Sequence, residues 1–440
     1  MSNTASQTRT DRPVLSARPS RRAMARIATV LAALLLATVI ISFRPFQPAG
    51  AEGEGGDILN QIGFGSLGAL ALAGLFMFVD RRVLAALLSP WWLLLLAFVG
   101  LGVMNALSPA DSMRAALFAV IGILTMAAVL TLPRDADSFS TVLALAGFAI
   151  LGFSYYGILA MPEVAIHGGD GQEPQHAGLW RGSFAHKNIA APVMACLSFA
   201  GFYLWRRGWR WSGGAMFLLA VIFMSQTGSK TTLGTVPLAI ILAALPGAIG
   251  LRFLTPALLM TAIAGLALAT VGIVFIDPLT ALRDQIAPDL TYTGRTALWA
   301  FMGENLAERP LTGYGFESFW GTEIVLQADQ PFDRDWDIRG IVHGHNSYMD
   351  LAISLGLPAL GVALAAFIIA PMRDFLRVPF FRENILLSEL FMMMLTFTLL
   401  NAFLESFFFR RADPVWLFFV FAALGMRLVA RFRVHPRVIE

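Results

Sequence analysis

Charged residues make up only 14% of this 440-residue chain, against roughly 25% in soluble domains. Hydrophobic residues make up 57% and the mean hydropathy is +0.68. The shortage of charge excludes a soluble domain held by a single anchor, so the chain is read as a membrane protein throughout. Cysteine is almost missing. The one present, Cys196, lies inside an apolar run, which excludes an intramolecular disulfide and a cysteine-based metal cluster. The net charge of +3 reflects a bias between loops and gives no argument for nucleic acid. Histidine is scarce too, with six in the chain. Five of them, His167, His176, His186, His343 and His345, fall in two segments between apolar runs.

A spanning helix needs about 20 mostly apolar residues. Twelve runs qualify, at about 27–43, 62–79, 84–104, 115–132, 139–160, 189–205, 213–225, 232–250, 253–276, 347–371, 385–409 and 414–430, the seventh being short. Alternating them from a cytoplasmic N-terminus places 20 of the 32 lysines and arginines inside, so both termini are expected in the cytoplasm. Arg21, Arg22 and Arg26 precede the first run, and Ala49-Gly50-Ala51 resembles a signal-peptidase site. The long leader favours a retained anchor. The expected fold is all-α: a polytopic transmembrane bundle of about 12 spans with a large, partly helical periplasmic loop. Residues 1–26 read as a disordered basic cytoplasmic tail, 27–276 as spans one to nine, 277–346 as the large loop, 347–430 as spans ten to twelve, and 431–440 as a cytoplasmic tail.

Two connections are long, 161–188 and 277–346, and both fall on the outer side. His167 and His176 are read there as polar residues collecting where the chain leaves the membrane. In the larger loop a helix is expected from Arg295 to Arg309, with Thr293 as N-cap and Pro310 as the stop. Leu298, Trp299, Met302 and Leu306 share one face, and Glu304 and Glu308 the other. Arg295 belongs to the apolar face, where it either snorkels to the interface or needs an anion, a phosphate or carboxylate beneath the helix. Pro310-Leu311-Thr312-Gly313-Tyr314-Gly315 reads as a tight turn, and Asp333-Arg334-Asp335-Trp336-Asp337 as a solvated acidic loop in preference to a metal site.

In GIVHGHNSYMDLAISLGLPALG, 340–361, His345 or Asn346 caps a helix that starts at the outer surface. A helix N-terminus attracts anions and favours a neutral imidazole, the form a general base needs near pH 7. His345 thus reads either as a base beside an anion site or as a cap without chemistry, with His343 and Asn346 in support. SQTGSKTTLG, 225–234, lacks P-loop spacing and leaves Lys230 as a point-charge phosphate contact. In WRGSFAHKNIAAP, 180–192, Arg181, His186 and Lys187 precede the sixth run.

Together these stretches resemble the O-antigen ligase family, which includes Wzy-type polymerases and the rhizobial-type exopolysaccharide polymerases. The family's His-Asn pair, followed after nine residues by Gly-x-x-Gly, is similar to His345-Asn346 and Gly356, with Ala359 in place of the second glycine and Gly361 two places later. Gly294-Arg295…Trp299, then Pro310, Gly313 and Gly315, resemble its Gly-Arg…Trp and Pro-x-x-Gly-x-Gly segments. Ser229-Lys230-Thr231 and Phe184-Ala185-His186-Lys187-Asn188 resemble the exopolysaccharide branch, and the likeness covers about 181–361. It implies an inverting, metal-independent glycosyltransferase of the bacterial inner membrane, without cofactors, acting on the periplasmic face. The implied donor is a glycan on undecaprenyl diphosphate, and the acceptor a lipid-linked glycan or lipid A-core. Membrane lipids, a flippase and a chain-length regulator are further expected partners. His345 would deprotonate the acceptor, and Arg295 and Lys230 would hold the departing diphosphate, with Arg181 or Lys187 adding to the clamp. Polymerisation is favoured over ligation. A twelve-span transporter is the alternative from another class, although Glu389 is the one ionisable group noted between span ends.

Overall fold

The computed structural model describes residues 19–47, 58–169, 174–328 and 338–437. The Ala49-Gly50-Ala51 segment and the acidic stretch 333–337 lie outside the described residues. Among those described the chain is helical, with one isolated bridge, Ile166–Trp180. Helix α1 (Pro19–Ile41) begins before the first apolar run, and α2 (Ile58–Phe78) follows it. The third run is split into α3 (Arg81–Leu87) and α4 (Pro90–Met104), bent by 64°. Pro90 explains the break: Ser89 before it is extended, as a residue preceding proline prefers. Next come α5 (Pro109–Thr131), α6 (Ala136–Ala160) and the one-turn α7 (Pro162–Ala165). After the first long loop come α8 (Lys187–Arg207), α9 (Arg210–Gln226), α10 (Lys230–Ala248) and α11 (Leu254–Ala267). A π-helical turn at Leu268–Gly272 joins α11 to α12 (Ile273–Phe275).

The second long loop holds α13 (Asp277–Ile286), α14 (Arg295–Glu308) and α15 (Glu323–Leu326). The run read as one span over 347–371 is divided into α16 (Ser347–Leu355) and α17 (Leu357–Leu364), the latter continuing through a π-helical turn into α18 (Ala370–Arg377). Gly356 makes the division, with φ of +86° in the left-handed region and Pro358 behind it. Helices α19 (Arg382–Asn401) and α20 (Pro414–Arg431) complete the bundle.

Among the described residues ten helices are long and apolar enough to cross a membrane, and eleven if α3 and α4 form one bent span. The remaining difference from twelve lies at α9, a continuous helix of 17 residues. It packs closely on α8 because glycines face each other. A Cβ on Gly213 would meet Trp205 N at 2.3 Å, and one on Gly201 would meet Phe217 N at 2.6 Å. Helix α19 runs through the centre, 94% of its span being buried, whereas α10 and the α11–α12 span lie at the edge with 28% buried.

The two ends of α19 carry different chemistry. At its start Glu383 pairs with Arg207 at 2.8 Å, and Glu389 pairs with Arg206. Arg207 also reaches Asp137 at 2.7 Å. Roughly 30 Å away, at 1.5 Å per residue, the chain beyond Asn401 meets the His345 segment. The second loop brings its own core to that end, built from Leu298, Trp299, Met302, Phe319 and Ile353.

Candidate active site

The site is built where α14, the start of α16 and the α19–α20 connection meet. Helix α14 forms as the periodicity predicts. Leu298, Trp299 and Met302 are at most 1% exposed, while Glu304 and Glu308 face solvent. The cap differs from expectation: Gly294, with φ of +84°, is the N-cap, and Thr293 takes a left-handed conformation ahead of it. The Tyr292 hydroxyl donates to Ala269 O at 2.9 Å, tying this turn to the π-helical end of α11. Arg295 therefore leaves the first turn toward the protein.

Its anionic partner is a protein carboxylate. Arg295 NH2 donates to Glu405 Oε1 at 3.1 Å and lies 3.5 Å from His345 Nδ1. Glu405 Oε2 lies 3.3 Å from the same imidazole nitrogen. One carboxylate thus joins the guanidinium to the histidine. Burial pushes the Glu405 carboxyl up, but the hydrogen bond from His345, the Arg295 charge and its hydrogen bond outweigh it and hold the group below the usual carboxylate range. Glu405 is ionised at neutral pH. With Nδ1 turned to Glu405, the Nε2 of His345 is the nitrogen left for a substrate. NH1 and Nε of Arg295 make no hydrogen bond with the described residues.

The His343–Asn346 turn is fixed from several sides. Trp299 Nε1 donates to Gly344 O at 3.0 Å, and Gly344 N donates to Asp350 Oδ1 at 2.9 Å. Asp350 also accepts from Trp320 Nε1 at 2.8 Å and from the Ser406 hydroxyl. Asn346 is the cap of α16, its Oδ1 accepting from Tyr348 N and Met349 N at 3.1 Å. Its amide donates to Phe403 O at 3.2 Å, and Ser347 N donates to Ala402 O at 2.8 Å. These bonds hold His345 at φ of +48°, a conformation L-residues rarely adopt. His343 packs at 4.2 Å between ring centroids and accepts from His345 N at 3.4 Å. Burial, then the charges of Arg410, His345, Arg295 and His186, push His343 well below the ordinary imidazole range.

The glycines of the Pro310 turn serve the same assembly. A Cβ on Gly313 would meet Ile353 O at 2.5 Å, and one on Gly356 would meet Leu311 O at 2.3 Å. Backbone bonds from Tyr314 N to Ile353 O and from Leu357 N to Pro310 O close the turn on α16.

The other sequence candidates divide. Ser229, Thr231 and Thr232 line a small cavity of about 30 Å³ with Asn188 and Glu405, so the start of α10 adjoins the site. Lys230 there is exposed and makes no ion pair with the described residues. His186 caps α8, its Nδ1 accepting from Asn188 N at 3.1 Å, and His167 Nε2 accepts from Lys187 N at 3.2 Å. His167, His176 and His186 cluster with ring centroids 4.8–5.7 Å apart. Among the described residues no three His, Cys, Asp or Glu side chains are placed to share a metal ion. Arg181 stands apart, buried and donating to Gln47 O and Ala185 O at 3.1 Å.

Sequence reasoning missed Glu405 and Asp350, because the apolar runs 385–409 and 347–371 were taken as whole spans that contained them. Carboxylates inside such runs were the available signal. Helix α19 ends at Asn401, which leaves Glu405 in the connection.

Residues 177–364 match the family model described as O-Antigen ligase. The exopolysaccharide production protein ExoQ of Rhizobium meliloti (strain 1021) is 28% identical over 196 residues, which are 41% of this chain and 43% of that protein. The aligned part thus spans less than half of that relative. The resemblance to the O-antigen ligase family is shown for the segment that carries His186, Lys230, Arg295 and His345, and the matched segment ends before Glu405.

Proposed function

We propose that this protein is a glycosyltransferase of surface polysaccharide biosynthesis, which transfers an oligosaccharide from undecaprenyl diphosphate on the periplasmic face of the inner membrane. The observation that carries the reading is Glu405 bridging Arg295 and His345. It supports the reading by bringing a guanidinium, an imidazole and a carboxylate together, the groups that an anion site, a base and its orienter require. In the reaction, an acceptor hydroxyl loses its proton to Nε2 of His345 while its oxygen bonds to the anomeric carbon. The bond from that carbon to the phosphate oxygen breaks on the opposite side, so the configuration inverts. The electron pair leaves on the lipid diphosphate, where charge develops and where Arg295 and Lys230 act. Glu405 stabilises the imidazolium formed, as a carboxylate does for a catalytic histidine. The protein's own groups supply the acid–base and charge terms without a metal ion. Arg181 is assigned to holding the first loop, its guanidinium being engaged with backbone carbonyls.

Polymerisation is the preferred form, supported by the Ser229-Lys230-Thr231 and Phe184–Asn188 segments and by the likeness to an exopolysaccharide production protein. The test uses proteoliposomes and the lipid-linked oligosaccharide extracted from cells that lack this protein. A ladder of longer lipid-linked products supports polymerisation. A single shift that requires added lipid A-core supports ligation. Movement of the oligosaccharide across the bilayer without consumption of the lipid-linked form would overturn the enzyme reading in favour of a carrier. EDTA should leave turnover intact; loss restored by a divalent ion would sink the metal-free mechanism.

A further inference from the structure

Beyond the His345 cluster, the side chains of Glu317 and Arg410 make no hydrogen bond or ion pair among the described residues. Between Gly313 and Phe319 every residue is buried except Glu317. Its neighbours are anchored: Phe316 N donates to Gly102 O at 3.1 Å, the Ser112 hydroxyl to Phe316 O at 2.7 Å, and Leu107 N to Ser318 Oγ at 2.7 Å. These anchors hold Glu317 at φ of +51°, where a glycine would be at ease. Arg410 has a similar setting. Phe409 before it is buried at φ of +57° and packs edge-to-face on Phe316, with centroids 6.1 Å apart. Two buried rings in contact therefore bring together the two segments that carry exposed Glu317 and half-buried Arg410, and the Arg410 charge acts on the Glu317 carboxyl.

Neither has a partner within bonding distance among the described residues. No hydrogen bond or ion pair involves the Glu317 carboxylate or the Arg410 guanidinium. Arg410 acts electrostatically on Glu317, Asp350 and His343 without pairing with either acid. Burial raises the Glu317 carboxyl above its usual range although its surface is open to solvent. The carboxylate is surrounded by neighbouring protein while the residue itself stays exposed. Arg411, next in the chain, covers Phe118 at 4.5 Å, which turns it away from Arg410's role. Asp350, which acts electrostatically on Glu317 and feels the Arg410 charge, holds Gly344 N between His343 and His345 at 2.9 Å.

We propose that Glu317 and Arg410 form the subsite that binds the sugar carrying the attacking hydroxyl. The carboxylate accepts hydrogen bonds from neighbouring hydroxyls of that sugar, and the guanidinium donates to its oxygens. The assignment rests on the glycosyl-transfer reading above. It divides the work of binding between a phosphate end at Arg295 and Lys230 and a sugar end at Glu317 and Arg410. The left-handed backbone at Glu317 is the conformational strain that such an enclosed, unpaired side chain retains.

The test uses the full-length protein in detergent micelles. Two competitors of turnover are compared: undecaprenyl diphosphate, and the free oligosaccharide released by mild acid from the extracted lipid-linked form. Glu317→Gln, Glu317→Gly and Arg410→Gln should each weaken inhibition by the free oligosaccharide roughly tenfold or more, the size of a lost charge-assisted hydrogen bond. Inhibition by undecaprenyl diphosphate should stay within about twofold, and Arg295→Ala should give the reverse pattern. Glu317→Gly should also raise the melting temperature, since it relieves the left-handed backbone. A purely structural Glu317 would give a stabilised glycine variant with normal oligosaccharide inhibition, and that result overturns the proposal. Should the wild type turn nothing over, the function proposed above fails, and saturation-transfer NMR of the oligosaccharide decides the subsite by itself. Binding lost in Glu317→Gln supports it; equal binding overturns it.

Discussion

At the scale of single residues, the site joins a guanidinium, an imidazole and a carboxylate from parts of the chain that lie far apart in sequence. Arg295 to Glu405 spans 110 positions and His345 to Glu405 spans 60. The need for an anion beneath α14 was legible, because helical periodicity puts Arg295 on an apolar face. Which anion was not, since periodicity describes one helix and a partner is chosen by tertiary packing. Two predictions belong here. His345→Ala should lower turnover by about 10²–10⁴-fold with inhibition by undecaprenyl diphosphate unchanged, whereas Arg295→Ala should weaken both and Arg295→Lys should recover only part. Glu405→Gln, which keeps shape and removes charge, should lower turnover by about 10²-fold or more. Near-normal turnover in folded His345→Ala protein would remove the base from the mechanism. The second prediction concerns pH. His343 titrates well below 6.5 in the folded chain and near that value when unfolded. The unfolded state therefore binds the extra proton first, so this contribution is complete above about pH 6.5 and is lost as pH falls below it. His343→Gln should flatten the acid fall of the melting temperature; parallel curves for both proteins would count against this.

Elements were legible to the extent that they carry their own periodicity. Helix α14 appears within one residue of its expected end, with Pro310 closing it. The break at Gly356 was hidden, because a left-handed glycine inside an apolar run leaves no trace in hydropathy. What the break does is physical: it lets the Pro310 turn lie directly on α16, with Leu311 O against the glycine. Gly356→Ala should therefore destabilise the protein by about 1–3 kcal/mol, through clash and a strained φ, and should lower turnover by shifting the His345 helix. Gly361 has open space around its Cα, so Gly361→Ala should leave melting temperature and turnover unchanged. Equal melting temperatures for the two variants would show that the turn does not depend on that contact. The same logic explains Ala359, fully buried where the family pattern has its second glycine. A methyl is accommodated there, whereas at Gly356 it is not.

For the whole molecule, composition was enough to give an all-helical membrane bundle, but counting apolar runs gave one or two spans more than helix length supports. Proline at position 90 and the shortness of α9 account for the difference. Sidedness is testable with the chain's own chemistry. Cys196 is fully buried, so new cysteines can be read without background. Ala307→Cys, on the exposed side of α14, should react with a membrane-impermeant maleimide from outside, and Trp211→Cys should react only after permeabilisation. Labelling of both from one side would overturn the topology and the periplasmic chemistry with it. The position of Glu405 has one more consequence, which concerns translation. Arg295 and His345 emerge from the ribosome early, but the carboxylate that joins them follows α19, the helix at the centre of the bundle. A nascent chain halted before that helix is inserted holds a cation and an imidazole with nothing to orient them. On the proposed mechanism, partial products of synthesis should be inert toward the lipid carrier until the connection after α19 is in place.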